Sequence, residues 1–469
     1  MRYGWAMRSF HMLVAFILTM FVVACGTPDP ASGVDITPTL GTQLAGTLEA
    51  QPTRTSTPTA TRSSILPPTI DSAAREAPPS PTPGRTPIAP SPTPKSNGQA
   101  IPGGGSQDTG FAGCTGTGSV EFAQSPMRME DVAHLLPYGM LAGAHVTPID
   151  HMYFSPADWT LGRDVYEVRA IQDGVIYRMQ PRDINVDTGQ TRAREWRLDI
   201  AHTCTFTSYF DLLTSVDPAI EAEWAKTEGG RTGRWNGIPL KAGQLVGHVG
   251  AQTLDFGVYD YTVTLDGLLV PEHYQREPWK VHTIDPFPYF PQDVRDQLLA
   301  KMLRQVEPRA GVIGHDIDGK LVGNWFEQGT NGYAGSDPQK YWDGHLAFAR
   351  DTLDPTHWKF SIGDFDGPAR QFGIKGNSPN PREVSPETGL VRYELVDTIL
   401  YAINEPTRQN LGPGGLRPGD DIGTRDGDQI RGAVLVQMDG PRMLRLQVFP
   451  GQTADSVAGF TSAAKLYER

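Results

Sequence analysis

Residues 237–259 read GIPLKAGQLVGHVGAQTLDFGVY, and the fold of the first half of the chain follows from this stretch. Ile238 and Leu240 alternate with polar neighbours, Lys241 to Gly243 make a turn, Leu245 and Val249 follow, Gly250 interrupts, and Leu254, Phe256 and Val258 alternate again. Period-two apolarity cut by glycine at short intervals describes small strands joined by tight turns. A helix would need its apolar residues three and four apart.

Upstream, similar β-type runs occupy Tyr166 to Ala170, Val175 to Met179, Trp196 to Ala201 and Thr205 to Leu212. An insert from Ser215 to Asn236 carries PAIEAEWAKT, a helical run with Asp217 as N-cap and Pro218 at the first position. Beyond Tyr259 a proline- and aromatic-rich turn, DPFPYFPQD, leads to a second helical run, VRDQLLAKMLRQVE, between Asp293 and Pro308. A domain boundary is expected there, which gives a first folded domain over 108–305.

The segment PLKAGQLVGHVG resembles the Lys-x-Gly-Gln phrase of the lysostaphin-type zinc endopeptidases, which cut peptidoglycan cross-bridges. GAHVTPIDHMYF, VRAIQDGVIYRM and LDIAHTCTFTSYFDLL resemble the earlier motifs of that family in the same order, so the likeness spans 143 to 260. In the family, zinc is held by the His and Asp of an H-x-x-x-D motif and by the second His of H-x-H, and two further histidines assist the attacking water. Three protein ligands with an open water position suit hydrolytic zinc.

Carried over residue by residue, the resemblance implies His145 and Asp150 as the first two ligands, with one extra residue between them and with His151 as an alternative to Asp150. Asp255 stands in the place of the third ligand. Thr253 and Asp211 stand in the places of the two catalytic histidines, which removes the imidazoles that handle protons near neutral pH. The framework is kept and the chemistry altered. His202, at a strand end, and His248, at a variable position of the Lys-Gly-Gln phrase, read as structural histidines.

At the N-terminus, Arg2 and Arg8 precede the apolar run Leu13 to Ala24, which ends in Val-Val-Ala-Cys. This is a secretory signal over 1–25, too short for a comfortable membrane span. It resembles the bacterial lipoprotein box, which implies lipidation of Cys25 and a chain anchored by lipid to the extracytoplasmic face of the cell membrane. Residues 26–107 are Pro-, Thr- and Ser-rich with few large apolar residues, a composition that predicts a disordered linker. Of the three cysteines, Cys114 and Cys204 remain, and in an oxidising compartment they are expected to pair.

The second half, 309–469, contains GKLVGNWFEQG, YWDGHLAFARD, HWKFSIGDF, GLVRYELVD, GAVLVQMDG and MLRLQVF, with NG, DG and PGG turns between them. An antiparallel β-barrel or sandwich is expected, with SVAGFTSAAKLYER as a short helix or final edge strand. Gly323, Asn324 and Trp325 faintly resemble the G-x-W entrance strand of lipocalin-like barrels, with Trp325 in the core. His315, His345 and His357 show no ligand spacing.

The fold class expected is therefore mainly β, a small peptidase-like sheet domain followed by a second β domain. A formal net charge of −12 disfavours a polyanion, so no nucleic-acid partner is expected. The function implied is a membrane-anchored lipoprotein whose non-catalytic peptidase-like domain binds cell-wall peptidoglycan or an envelope protein, or regulates a wall hydrolase. No cofactor is expected on that reading. Zinc belongs to the first alternative, a divergent metalloendopeptidase using His145, Asp150 and Asp255, and the second alternative is a solute- or carbohydrate-binding lipoprotein.

Overall fold

The computed structural model describes residues 111–186, 191–226, 236–411 and 415–469. The expected signal, Cys25 and the 26–107 linker lie outside the described residues. The architecture is mainly β: a seven-stranded sheet, a three-stranded sheet and a closed eight-stranded barrel. Among the described residues, no helix is long and apolar enough to cross a membrane.

The first β body contains β1 (Val132–Leu136), β2 (Met152–Pro156), β3 (Tyr166–Arg169), β4 (Gly174–Val186), β5 (Thr191–Ala201), β6 (Phe206–Leu213), β7 (Ser215–Val216), β8 (Ile238–Leu240), β9 (Leu245–Val249) and β10 (Leu254–Asp260). The large sheet has the order β1-β2-β10-β6-β5-β4-β8, and β3-β9-β7 form the smaller one. The 237–259 stretch folds as three strands, as its alternation predicts, and its last strand lies near the middle of the large sheet.

Alternation along β10 sorts the two faces of that sheet. Leu254, Phe256 and Val258 point into the main core with Phe154, Phe206, Phe210, Leu198 and Ile200. Full burial of each such side chain stabilises by about 1.5–3 kcal/mol. Asp255, Gly257 and Tyr259 point to the opposite face, where Asp255 faces Asp211 and Gly257 faces Tyr209 on β6.

The insert helix, α1 (Pro218–Lys226), starts where Asp217 Oδ1 accepts the Ala219 backbone N–H at 2.9 Å. The second helix, α2 (Gln292–Lys301), is shorter than its sequence pattern predicts. Met302 turns extended because Leu303 N donates to Leu135 O, and because Met302 and Leu303, adjacent in sequence, are both fully buried. One helical face cannot bury two consecutive residues equally. A disulfide joins Cys114 to Cys204, tying the segment before the first strand to the β5–β6 turn.

The barrel runs in chain order through β11 (Gly323–Glu327), β12 (His345–Arg350), β13 (Trp358–Ile362), β14 (Arg370–Ile374), β15 (Val391–Ala402), β16 (Ile422–Gly440), β17 (Met443–Pro450) and β18 (Lys465–Glu468). The open choice between barrel and sandwich is thereby resolved. The terminal segment is not an edge strand: β18 pairs with both β17 and β11 and closes the cylinder. Alternate residues of every strand, among them Phe348, Phe360, Phe372, Tyr393, Val434, Val436 and Leu446, fill the interior. Trp325 is buried at its end beneath the Arg469 guanidinium, 4.0 Å from the ring centroid.

Sheet and barrel are packed together within one compact unit. Gln371 of the barrel exchanges two hydrogen bonds with the Gly143 backbone, Thr352 Oγ1 donates to Tyr138 O at 2.6 Å, and Asn324 Nδ2 donates to the Tyr274 hydroxyl. Outward-facing Ala347 and Ala349 of the barrel pack on Leu141.

Gly257 tests the packing of the polar face. A Cβ there would lie 2.5 Å from the Tyr209 ring and 2.8 Å from the Tyr259 hydroxyl. Gly257→Ala should lower stability by about 1–3 kcal/mol, as overpacking of a closed site does. Thermal melts of the two proteins check this, and an unchanged midpoint would contradict the packing described.

Candidate functional site

The polar face of the large sheet gathers the residues singled out in the sequence. His151 lies immediately before β2, Asp255 on β10, Asp211 on β6, and Asp150 and His145 in the loop that leads into β2. His151 is the hub. Its Nδ1 is 3.4 Å from Asp150 Oδ1, its Nε2 is 3.4 Å from Asp255 Oδ2 and 3.2 Å from the Tyr153 hydroxyl, and its ring centroid is 5.8 Å from that of His145.

Asp150 is 4 % exposed and its carboxylate is surrounded by donors. Lys280 Nζ donates to Oδ1 at 2.8 Å, while Trp279 Nε1 at 3.1 Å and the Tyr259 hydroxyl at 3.3 Å donate to Oδ2. Trp279 and Lys280 come from the short 3₁₀ helix Pro278–His282, which lies across the face. Burial alone would push the Asp150 carboxyl up, but the Lys280 ammonium and His151 overturn that and hold it well below the usual range. Burial opposes the Lys280 charge too, and Asp150 and Glu277 outweigh it, so its pKa is raised.

Asp211, in the place of a catalytic histidine, is clamped by Arg182 in a two-pronged ion pair. It sits where the β5–β6 register shifts, beside Leu212, whose φ of 64° is in the left-handed region and whose N–H the Asp211 carboxylate accepts. Such an irregularity re-aims a side chain relative to a regular ladder. Next to it Asp199 accepts from Arg178 and Arg197. Burial raises the Asp199 pKa and these two guanidinium groups lower it, with a net fall to about 2. Arg197 also lies over the Tyr209 ring at 3.8 Å and under Trp279 at 5.0 Å.

Asp255 differs from its neighbours, because its close partners are an imidazole and a hydroxyl: Thr253 Oγ1 donates to Oδ1 at 3.3 Å. Burial pushes its carboxyl up to about 7, with Asp211 adding to the rise and His151 and Arg182 working against it. His145 goes the other way. Burial, His151 and Lys280 lower it to about 3, against the pull of Asp150, so the ring is neutral.

The sequence candidates are thus brought together, but not around one vacant point. A zinc ion needs ligand lone pairs converging on it, and a carboxylate has about four to offer. Those of Asp150 are directed at an ammonium, an indole, a phenol and an imidazole. Among the described residues, no group of three or more His, Cys, Asp and Glu side chains is arranged to hold a metal ion. The residues as they stand do not fit the zinc of the alternative reading. His202 bridges Asp173 O and Ser208 Oγ, and His248 meets Ser215 Oγ, which are structural roles.

The residues that sequence reasoning missed are Lys280, Trp279, Tyr259, Arg182 and Arg197. Arg197 lies on the predicted run Trp196 to Ala201, and Arg182 lies three residues past the predicted run Val175 to Met179. Lys280, in the loop phrase PWKVH, lies on no predicted run.

No protein-family model matches the chain, and no curated protein does. Two crystal structures of Csd3 from Helicobacter pylori, orthorhombic and hexagonal, are similar over 37% and 38% of this chain, at 15% and 14% identity and TM-scores of 0.21 and 0.19. The match takes in 35% and 37% of those chains, little more than a third of their length. A likeness at these TM-scores carries no argument.

The elevated Asp255 pKa has a defined consequence. A folded pKa above the unfolded value of about 3.9 favours the fold at low pH, and the benefit is lost as pH rises through about 7. Asp255→Asn, which holds the neutral form at every pH, should therefore raise the melting temperature at pH 8. The gain should shrink steadily toward pH 4. Melts of both proteins across that range check it, and a gain independent of pH would contradict the buried, proton-holding carboxyl.

Proposed function

We propose that the chain is a lipid-anchored extracytoplasmic protein whose sheet module keeps a peptidase-like framework without hydrolytic chemistry, and that this module binds cell-wall peptidoglycan or an envelope protein acting on it. The N-terminal pattern ending in Cys25 supports the anchor. The phrase PLKAGQLVGHVG, placed on β8, a turn and β9, supports the framework.

The observation that carries the non-catalytic reading is the state of Asp150 and Asp211. Where a hydrolase of the resembled family would hold a metal, Asp150 is saturated by protein donors, and where it would hold an imidazole, Asp211 is bound to Arg182. Both carboxylates are buried and paired with protein cations, so neither is free to hold an ion or to take a proton from an attacking water. One observation favours the divergent hydrolase instead: the Asp255 carboxyl, 3.4 Å from His151 Nε2, is pushed by burial up to about 7. Both residues are buried.

Purified peptidoglycan sacculi separate these readings. The full-length chain should sediment with sacculi and release no soluble fragments, whereas release above the protein-free blank that disappears in Asp150→Ala would establish hydrolysis. Failure to sediment would point to a protein partner. For the anchor, Cys25→Ser should move the protein from the membrane fraction to the soluble extracytoplasmic fraction, and unchanged partition would remove lipidation from the proposal.

A further inference from the structure

The two buried lysine–aspartate pairs of this chain are not alike. Lys359 Nζ meets Asp351 Oδ2 at 2.6 Å and, among the described residues, pairs with no second carboxylate. Lys280 Nζ has two, Asp150 Oδ1 at 2.8 Å and Glu277 Oε2 at 3.5 Å. Asp150 and Lys280 are each 4 % exposed and lie 130 positions apart in the chain. In water, hydration keeps an ammonium and a carboxylate as separate ions, whereas burial strips that hydration and makes the charged pair costly. Joining the two as an amide removes both charges and releases a water.

We infer that Lys280 and Asp150 become joined by an intramolecular amide bond, Nζ to Cγ, with Glu277 as the proton carrier. The contacts around the pair are those the reaction needs. Nucleophile and carboxyl group are already held in contact, so their encounter costs no further ordering. Trp279 Nε1 at 3.1 Å and the Tyr259 hydroxyl at 3.3 Å both donate to Oδ2, the oxygen that gathers negative charge when an amine adds to Cγ. Glu277, three positions before Lys280, is hydrogen-bonded to the Tyr333 hydroxyl, and the Tyr333 ring lies 5.0 Å from Nζ. Glu277 takes one proton from the ammonium and frees the amine lone pair, which adds to Cγ. A second proton from the nitrogen and the one held by Glu277 pass to Oδ1, the Cγ–Oδ1 bond breaks, and Oδ1 leaves as water. One ammonium and one carboxylate thus become one amide and one water, with no co-reactant. The bond locks the 278–282 segment onto the sheet, and it goes beyond the binding proposal because it forms whatever that face binds.

Mass spectrometry of the full-length protein, reduced and denatured after prolonged incubation at neutral pH, tests this. Relative to Lys280→Arg prepared alike, and after allowing for the substitution, the wild type should be lighter by one water. Trypsin should leave Lys280 uncut and yield a branched peptide joining 129–163 to 277–295. On a reducing denaturing gel the wild type, closed into a loop by the bond, should run apart from Lys280→Arg. Glu277→Gln, at a partly exposed position, should fold and remain largely unjoined. Separate 129–163 and 277–280 peptides from folded wild-type protein overturn the inference, even if Lys280→Arg does not fold. A water loss that maps to Lys359 overturns it as well, and joining of Glu277→Gln as complete as in the wild type overturns the role of Glu277. None of these readouts depends on whether the protein sediments with sacculi.

Discussion

The contact between Asp150 and Lys280 is the constraint around which the first half of the molecule is arranged. It fastens the 278–282 segment onto the polar face of the sheet and makes that face an interior. Removing one partner of such a pair leaves an uncompensated buried charge, which is far more costly than never having built the pair. The Trp279 indole, from the adjacent position, meets the second oxygen of the same carboxylate and lies beside Arg178 and Arg197. One short segment therefore neutralises one carboxylate and covers the guanidinium groups that neutralise another.

The same logic extends across the strands. Arg178 and Arg197 hold Asp199, Arg182 holds Asp211, and Tyr209 and Tyr259 stack at 5.8 Å between them over the glycine that makes room. Charges are fixed to one another by hydrogen bonds rather than left facing solvent or substrate. A face built this way is rigid and specific, and its reactive groups are spent on structure. Asp255 is the exception among these carboxylates, because a histidine and a threonine are its close partners.

The barrel takes part in this enclosure. Tyr333, from the connection between β11 and β12, lies against the Lys280 ammonium, and Tyr341 of the same connection meets Arg276, two residues before the 278–282 helix. Tyr333 and Tyr341 belong to the same apolar cluster as the sheet core. The interior of the barrel is filled by its own side chains, so its contribution to the site comes from its outside and from the loops at its ends.

Much of the framework was legible in the sequence. Alternation in LDFGVYD determined that Leu254, Phe256 and Val258 share one face and that Asp255 and Tyr259 share the other, because the side-chain period of a strand is two. Asp217 and Pro218 marked the start of α1 for local reasons of backbone hydrogen bonding. The short strands β1 and β14 were not legible, whereas β2 was foreshadowed by the alternation in DHMYF. Strands such as β14 form through partners distant in the chain, as when Gly373 of β14 pairs with Val396 of β15. The helix after Asp293 was overrun for the same reason, since contacts with β1 draw Met302 and Leu303 out of it.

The site divides along the same line. Sequence by itself determined which residue types stand at His145, Asp150, His151, Asp211, Thr253 and Asp255, and so which imidazoles are missing from the resembled pattern. Tertiary structure alone decided what those residues touch. A lysine in PWKVH looks like a solvated surface charge, and only folding, which brings it to a carboxylate 130 positions earlier, makes it the buried cation of the site. Charge pairing over that distance is decided by the packing of sheet, connecting segment and barrel, and no local period or motif encodes it.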